Sequence, residues 1–348
     1  MSAGGSAGRV AVVGATGAVG STMLQILRER HFPAQEIVPF ASPRSAGREL
    51  DGGLVVQTLG DESIAGFDVA LFSAGSDISR EWAPRFAQAG AVVVDNSSCW
   101  RMEPDVPLVV PEVNPDAIEE HRGIVANPNC STMQMVVALK PIHDAAGIER
   151  IVVSTYQSTS GTGQNAVDEL LAQSHALLHE VEPPAPVAYP HPIAFNVLPH
   201  VETFKDGDDY TTEERKMMAE TRKIMGEDSL RISATCVRVP VPNCHSESIN
   251  LQTREELAPD ACRELLAAAP GVTVLDSPAD AIYPLASEAA GRDDVFVGRI
   301  RRDPSNERTL NLWVVSDNLR KGAATNAVQL AELLHERGLI GQDARSAA

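Results

Sequence analysis

The sequence predicts an α/β protein in which a doubly wound parallel sheet is followed by a second, α+β unit built on a mixed sheet. Three observations carry this. The chain opens with a β-branched run, Arg9 to Val13. This run meets the turn Gly14-Ala15-Thr16-Gly17-Ala18-Val19-Gly20 and then the helical pattern Met23, Leu24, Ile26 and Leu27. Short apolar runs recur at Glu36 to Phe40, Leu54 to Thr58, Val69 to Ser73, Ala91 to Asp95 and Ile124 to Ala126. Helical stretches such as Ile78 to Ala89 lie between some of them, the alternation of a Rossmann-type sheet. Past about Ser131 the runs lengthen and mix polar with apolar positions, as in an antiparallel or mixed sheet.

A length of 348 residues suits two domains. We expect a nucleotide-binding domain over residues 1–131, completed by a C-terminal helix within 322–348, and a second domain over 132–321. Strands of the latter are expected at Arg150 to Thr159, Leu230 to Pro240, Ser246 to Thr253, Asp294 to Arg302 and Thr309 to Ser316. Between them lie an amphipathic helix from about Asn165 to His179 and a proline-rich surface connection, Pro183 to Pro199. The tail pattern Ala324, Val328, Leu330, Leu333 and Leu334 marks a helix over Gly322 to Arg337, long enough to pack on the first domain. Met1 to Gly8 reads as a flexible leader without a signal-like apolar stretch, and no run approaches the roughly 20 apolar residues of a membrane span.

A formal charge of -18 repels phosphate backbones and anionic lipid, so neither nucleic acid nor a membrane is an expected partner. The expected partner is a small molecule. An anionic one would have to be gripped by local arginine and lysine. The five cysteines, Cys99, Cys130, Cys236, Cys244 and Cys262, are odd in number and form no CxxC pair, which predicts reduced thiols and a cytoplasmic setting. Cys236 and Cys244 lack zinc-ligand spacing, so no metal is expected.

In the first turn, the glycines let the backbone approach a pyrophosphate held on the following helix N-terminus, which makes Gly14, Thr16, Gly17, Ala18 and Val19 candidate cofactor contacts. The alternative is a glycine turn without a ligand. After the second strand the chain reads Phe40-Ala41-Ser42-Pro43-Arg44-Ser45. No acid is present to meet a ribose hydroxyl, and Arg44 with Ser45 suits a 2′-phosphate, so NADP is favoured over NAD. An exposed loop arginine is the plainer reading of Arg44. Cys130 follows Asn127-Pro128-Asn129 and precedes the helical Met133 to Leu139, a position that favours the thiolate. A small buried hydrophobe is its alternative, which the polar neighbours Asn129, Ser131 and Thr132 disfavour. Cys99, Cys236 and Cys262 are read as structural.

Together, GATGAVG, DNSS at Asp95 to Ser98, NPNCST around Cys130, YQSTSGTG at Tyr156 to Gly163, CVRVPV from Cys236, HSES from His245 and DNLRKGAA from Asp317 resemble the aspartate-semialdehyde dehydrogenase family, in order, from Val10 to about Leu334. The resemblance implies Cys130 as the thioester nucleophile, His245 as general acid-base, and Gln157 as orienting thiol and acyl carbon. It implies Arg238 as a clamp on the substrate α-carboxylate and Glu213 as the partner of its ammonium. Arg101 and Lys216 would hold phosphate, and Ser160, Gly161 and Asn318 would line the nicotinamide side. Arg238 could instead be a salt-bridged strand arginine, and Glu213 with Lys216 an ordinary i, i+3 surface pair. Cys99 stands where a small apolar residue is expected in many relatives and adds a second thiol near the phosphate residues.

The implied reaction is NADPH-dependent reductive dephosphorylation of L-aspartyl 4-phosphate to L-aspartate 4-semialdehyde, with inorganic phosphate as the other ligand. It belongs to lysine (through diaminopimelate), threonine and methionine biosynthesis, and calls for an imidazole that titrates near neutral pH. A homodimer is implied, with a homotetramer as alternative. Rivals are an N-acetyl-γ-glutamyl-phosphate reductase, which Glu213 disfavours, a catalytically silent nucleotide-binding paralogue, and a glyceraldehyde-3-phosphate dehydrogenase, which these motifs do not support.

Overall fold

The computed structural model describes residues 5–341. In chain order the elements are β1 (Gly8–Val13), α1 (Ala18–Glu29), β2 (Ala34–Phe40), β3 (Glu49–Leu50), β4 (Leu54–Val55), β5 (Val69–Phe72), α2 (Ser76–Gln88), β6 (Val92–Asp95), β7 (Ile124–Ala126), α3 (Cys130–Ala146), β8 (Ile148–Gln157), α4 (Gln164–Leu178), α5 (Thr212–Met225), β9 (Arg231–Arg238), β10 (His245–Thr253), α6 (Pro259–Ala267), β11 (Val272–Val274), α7 (Ala286–Ala289), β12 (Val295–Arg302), β13 (Thr309–Ser316) and α8 (Thr325–Glu336). They form two compact units, one of residues up to Asn129 together with those from Ala323, the other Cys130–Gly322.

The first unit holds the expected parallel sheet, in the order β2-β1-β5-β6-β7. Both of its faces are buried, so β5 and β7 are apolar throughout and β1 is from Val10 on, whereas the edge strand β2 carries exposed Gln35 and Glu36 near its start. Val10 and Val12 of β1 join the core under α1 and α8, whereas Ala11 and Val13 join the opposite core of Phe40, Phe67, Phe72 and Phe86. Those rings meet edge-on at Phe72–Phe86, with centroids 5.4 Å apart. The tail helix starts later than expected, because Arg320–Ala324 forms a π turn before α8. Leu54 to Thr58 is not a strand of this sheet: Leu54–Val55 pairs with Glu49–Leu50 in a small hairpin, and only Gln57 makes a parallel bridge, to Phe40. Of the leader, Met1 to Gly4 lies outside the described residues. Ala7 is fully buried with its N–H on the Pro33 carbonyl, and Gly8 already starts β1, so the expected flexibility does not reach them. The last seven residues of the tail also lie outside.

The second unit holds a six-stranded mixed sheet, in the order β11-β12-β13-β10-β8-β9. Its β8–β9 and β11–β12 pairs are parallel and the rest antiparallel. One face is covered by α3 and α5. Helix α5 begins with a capping box, Thr211 with Glu214, and ends at Gly226 in the left-handed region, which fixes Glu213 and Lys216 in its first turns. The proline-rich connection is ordered against α4: Glu169 Oε2 accepts the Val187 and Ala188 N–H groups, and Gln173 Oε1 those of Ile193 and Ala194.

Candidate active site

In the first unit, the Gly14 and Ala15 N–H groups both donate to the Phe40 carbonyl, folding the turn back on the end of β2. A Cβ at Gly14 would lie 2.4 Å from the Ser73 carbonyl oxygen, and one at Gly20 2.2 Å from that of Gly14, so the fold itself demands these two glycines. Gly17 is different. It is the N-cap of α1, its added Cβ would approach nothing closer than 3.4 Å, and the first turn has neither a side-chain cap nor an acid. An anion could take those open N–H groups. A cavity of 520 Å³ adjoins them, lined by Gly14, Thr16, Gly17, Ser42, Pro43 and Trp82 among others. Ala18 and Val19 do not line it but start α1. Arg44 and Ser45 follow Pro43 in a 3-10 turn, with Arg44 exposed.

Arg101 belongs to this unit and is buried. Its Nε donates to the Asn127 carbonyl (3.0 Å) and its Nη2 to the Asn96 carbonyl (2.7 Å). Around it runs an amide network in which Asn127 donates to Asn96 Oδ1 and accepts from Asn326 Nδ2. Cys99 is half-buried, and burial pushes its thiol up. The thiols of Cys236, Cys244 and Cys262 are buried and likewise pushed up, that of Cys262 to about 12.

In the second unit, Cys130 is the first residue of α3 and only partly buried, at the head of a helix with no acid in its first turn. Gly322 packs on it: a Cβ there would lie 3.0 Å from Cys130 Cβ and 3.5 Å from Asn318 Cβ. Asn318 Oδ1 accepts the Cys244 N–H (2.9 Å) and the Ser158 hydroxyl (3.0 Å), and its Nδ2 donates to Ser160 Oγ (3.0 Å). Cys244, at φ 71, stands in the left-handed region that non-glycine residues seldom adopt, immediately before His245.

His245 is fully buried at the head of β10. Its Nδ1 accepts the Ser158 N–H at 3.1 Å, which leaves the ring proton of the neutral form on Nε2. Nε2 makes no hydrogen bond among the described residues. The Ser158 carbonyl accepts Arg238 Nη1 at 2.6 Å, so one residue orients both the imidazole and the guanidinium. Arg238 is buried, with its Nε unpartnered and Tyr189 under its guanidinium at 5.7 Å. Gly161 floors the pair: a Cβ there would lie 3.2 Å from both Arg238 Nη1 and His245 Nε2. Burial first, then the Arg238 charge, hold the imidazole down to about 3, against the sequence expectation of titration near neutrality. Gln157, at the end of β8, donates through Nε2 to Glu213 Oε1 (3.0 Å) and Thr155 Oγ1 (3.3 Å). Lys216 pairs with Glu202 and lies 3.9 Å from Glu213 Oε2. A second cavity of 520 Å³ opens on the other sheet face, by Tyr156, Arg301 and Trp313, and none of the candidate residues lines it.

The family model described as "Semialdehyde dehydrogenase, NAD binding domain" matches residues 9–121, and "Semialdehyde dehydrogenase, dimerisation domain" matches residues 139–321. The aspartate-semialdehyde dehydrogenase of Aquifex aeolicus is 56% identical to the chain over 338 residues, 95% of this chain and 99% of that one. The chain belongs to the aspartate-semialdehyde dehydrogenase family. A crystal structure of aspartate-semialdehyde dehydrogenase II of Vibrio cholerae, complexed with ASA, covers 94% of this chain and 98% of its own at a TM-score of 0.90 and 48% identity. The Candida albicans aspartate-semialdehyde dehydrogenase crystallised with NADP aligns at a TM-score of 0.74 and 27% identity, over 95% of this chain and 99% of that one. Within this family frame, sequence reasoning passed over Ser158 and Gly322. Both lie inside motifs it quoted, but a backbone clip and a missing Cβ leave no chemical signature in a side chain.

Proposed function

We propose that the chain catalyses the NADPH-dependent reductive dephosphorylation of L-aspartyl 4-phosphate to L-aspartate 4-semialdehyde. The observation that carries the reading is the Ser158 clip, which presents an Nε2–H imidazole and an open guanidinium edge side by side in the unit that contains Cys130. The Cys130 thiolate attacks the acyl carbon; the C–S bond forms and the C–O bond to phosphate breaks, the leaving phosphate being met by Arg101 and Lys216. Arg238 holds the α-carboxylate through its Nε edge, Glu213 the ammonium, and Gln157, tethered to Glu213, orients the acyl group. The dinucleotide would lie on Gly14, Thr16, Gly17, Ala18 and Val19 with its 2′-phosphate on Arg44 and Ser45, and when bound it supplies the hydride; Ser160, Gly161 and Asn318 line its nicotinamide side. Charged as the imidazolium, His245 gives its Nε2 proton to the thiohemiacetal oxygen, and the neutral ring takes a proton back at Nε2 as the C–S bond breaks. A bound substrate carboxylate offsets the Arg238 charge and moves the imidazole back toward neutrality.

The same reading makes the protein a cytoplasmic homodimer assembled through its dimerisation-type unit, with a homotetramer as the alternative. Its test is phosphate-dependent NADP reduction with aspartate semialdehyde set against N-acetyl-glutamate semialdehyde. Preference for the second would transfer the chain to the N-acetyl-γ-glutamyl-phosphate reductases, and no turnover with either would make it a silent paralogue. Cys130→Ala is expected to abolish turnover and leave NADP affinity nearly intact, because the thiol carries the acyl group and need not touch the adenosine half. Turnover by that variant would end the thioester mechanism.

A further inference from the structure

Glu247 follows His245 by two residues on β10, so strand alternation points both to the sheet face covered by α3 and α5. Register places it one step behind the active residues. Arg238 and Gln157 are cross-strand partners in the front row, and His245 faces Ser316. In the row behind, Cys236, Thr155, Glu247 and Val314 are successive partners across β9, β8, β10 and β13, and all are fully buried. Neither carboxyl oxygen of Glu247 completes a hydrogen bond among the described residues, nor does Gln134 Nε2. Gln134 is nevertheless the side chain placed to act on Glu247 as a hydrogen-bond donor. It sits one helical turn beyond Cys130, on the same side of α3. Two buried, complementary groups that face each other just short of bonding geometry are joined by a small rotation of either side chain.

The ionisable groups facing Glu247 are Glu213 from α5, Cys236 from β9 and His245 from its own strand, while α3 brings Gln134 and β13 brings Val314. Two carboxyls in one dry cluster do not both ionise. Glu213 has the Gln157 amide and Lys216 to hold its charge, so the proton falls to Glu247, whose burial pushes it well above the usual carboxylate range. A second anion here would oppose a thiolate on Cys130. A neutral acid does not, and its carbonyl oxygen can accept the Gln134 N–H.

We propose that Glu247 is a positioning residue, kept as the neutral acid, which accepts a hydrogen bond from Gln134 and braces the first turns of α3 that carry Cys130. The positioning half rests on Cys130 being the nucleophile; the protonation half does not. Infrared difference spectra of the whole protein at pH 7, wild type against Glu247→Gln, should show loss of a protonated-carboxyl carbonyl band; loss of a carboxylate band instead overturns the neutral acid. Glu247→Leu should slow Cys130 alkylation by iodoacetamide and lower kcat by roughly ten- to hundredfold, with the KM for aldehyde within about twofold, as a displaced nucleophile does. Glu247→Gln, which keeps the acceptor, should restore both. Wild-type alkylation in the leucine variant, or no rescue by glutamine, refutes the brace. Should the leucine variant not fold, Gln134→Leu removes the same bond from the other side and is read the same way. Activity surviving in Cys130→Ala would remove the nucleophile reading but leave the infrared result standing.

Discussion

Replacing Arg238 by lysine tests the substrate clamp with charge held constant. Nη1 is committed to the Ser158 carbonyl at 2.6 Å, and Nε is buried without a partner, so a carboxylate would be gripped along the Nε edge while the other prong stays anchored. A lysine ammonium has one centre in place of the fork. Drawn to the Ser158 carbonyl, it can give the carboxylate at most a single contact, and the second charge-assisted hydrogen bond is lost. Such a bond is worth about 1.5–3 kcal/mol, or roughly ten- to 150-fold in binding. Initial rates of phosphate-dependent NADP reduction, with aldehyde and phosphate varied independently, should show the KM for aldehyde raised by that factor and the KM for phosphate within about threefold. Arg101→Lys should reverse the pattern, although its fork is already engaged with the Asn127 and Asn96 carbonyls and part of its effect will reach the amide network. Equal shifts of both constants in both variants would refute separate clamps.

Arg44→Ala should weaken NADP far more than NAD, by about 1.5–3 kcal/mol, since only NADP has a 2′-phosphate to lose its charge-assisted bonds; cofactor titration by fluorescence checks it, and equal weakening removes Arg44 from the pocket. His245, held down to about 3, should make the protein acid-sensitive. Between that value and about 6.5 the unfolded state binds a proton that the folded state refuses, so stability falls with falling pH, by up to about 1.4 kcal/mol per unit. Denaturant titrations from pH 7 to 4 should show a shallower fall in His245→Gln, and parallel curves would put the sensitivity elsewhere. Gly322→Ala should lower kcat about tenfold or more while leaving NADP affinity unchanged, because the added Cβ would meet Cys130 Cβ at 3.0 Å and push the thiol off line; wild-type turnover would show that the contact yields freely.

The fold was legible because its signals are local: β-branched runs broken by glycine turns, and a change of strand character after about Ser131. Leu54 to Thr58 misled for the same reason. Its apolar content reads as a strand, but only pairing partners decide whether it joins the sheet, and Leu54–Val55 found Glu49–Leu50. At the site, the residue pattern pointed to Cys130 and the family resemblance to His245 and Arg238, while the low proton affinity of His245 did not appear. A histidine's affinity for protons depends on burial and on the arginine that a register brings beside it, neither of which is written at position 245. Ser158 is engaged through its backbone N–H and C=O, and Glu247 is set apart by carboxyl oxygens that complete no hydrogen bond among the described residues, so each is silent until the strands are paired.

Because the backbone of one residue, Ser158, holds the imidazole through its N–H and the guanidinium through its C=O, the placements of His245 and Arg238 are mechanically tied. A variant selected to accept a longer acid cannot simply let Arg238 retreat, for the Ser158 carbonyl would follow it and tilt the Ser158 N–H donor that sets the His245 tautomer. New substrates would be admitted more readily by leaving that serine and both its dependants in place and placing a fresh cation farther along the Tyr189 side, where the existing guanidinium already rests over a ring. Laboratory evolution toward other semialdehydes should therefore gather its substitutions around Tyr189 before it touches β9.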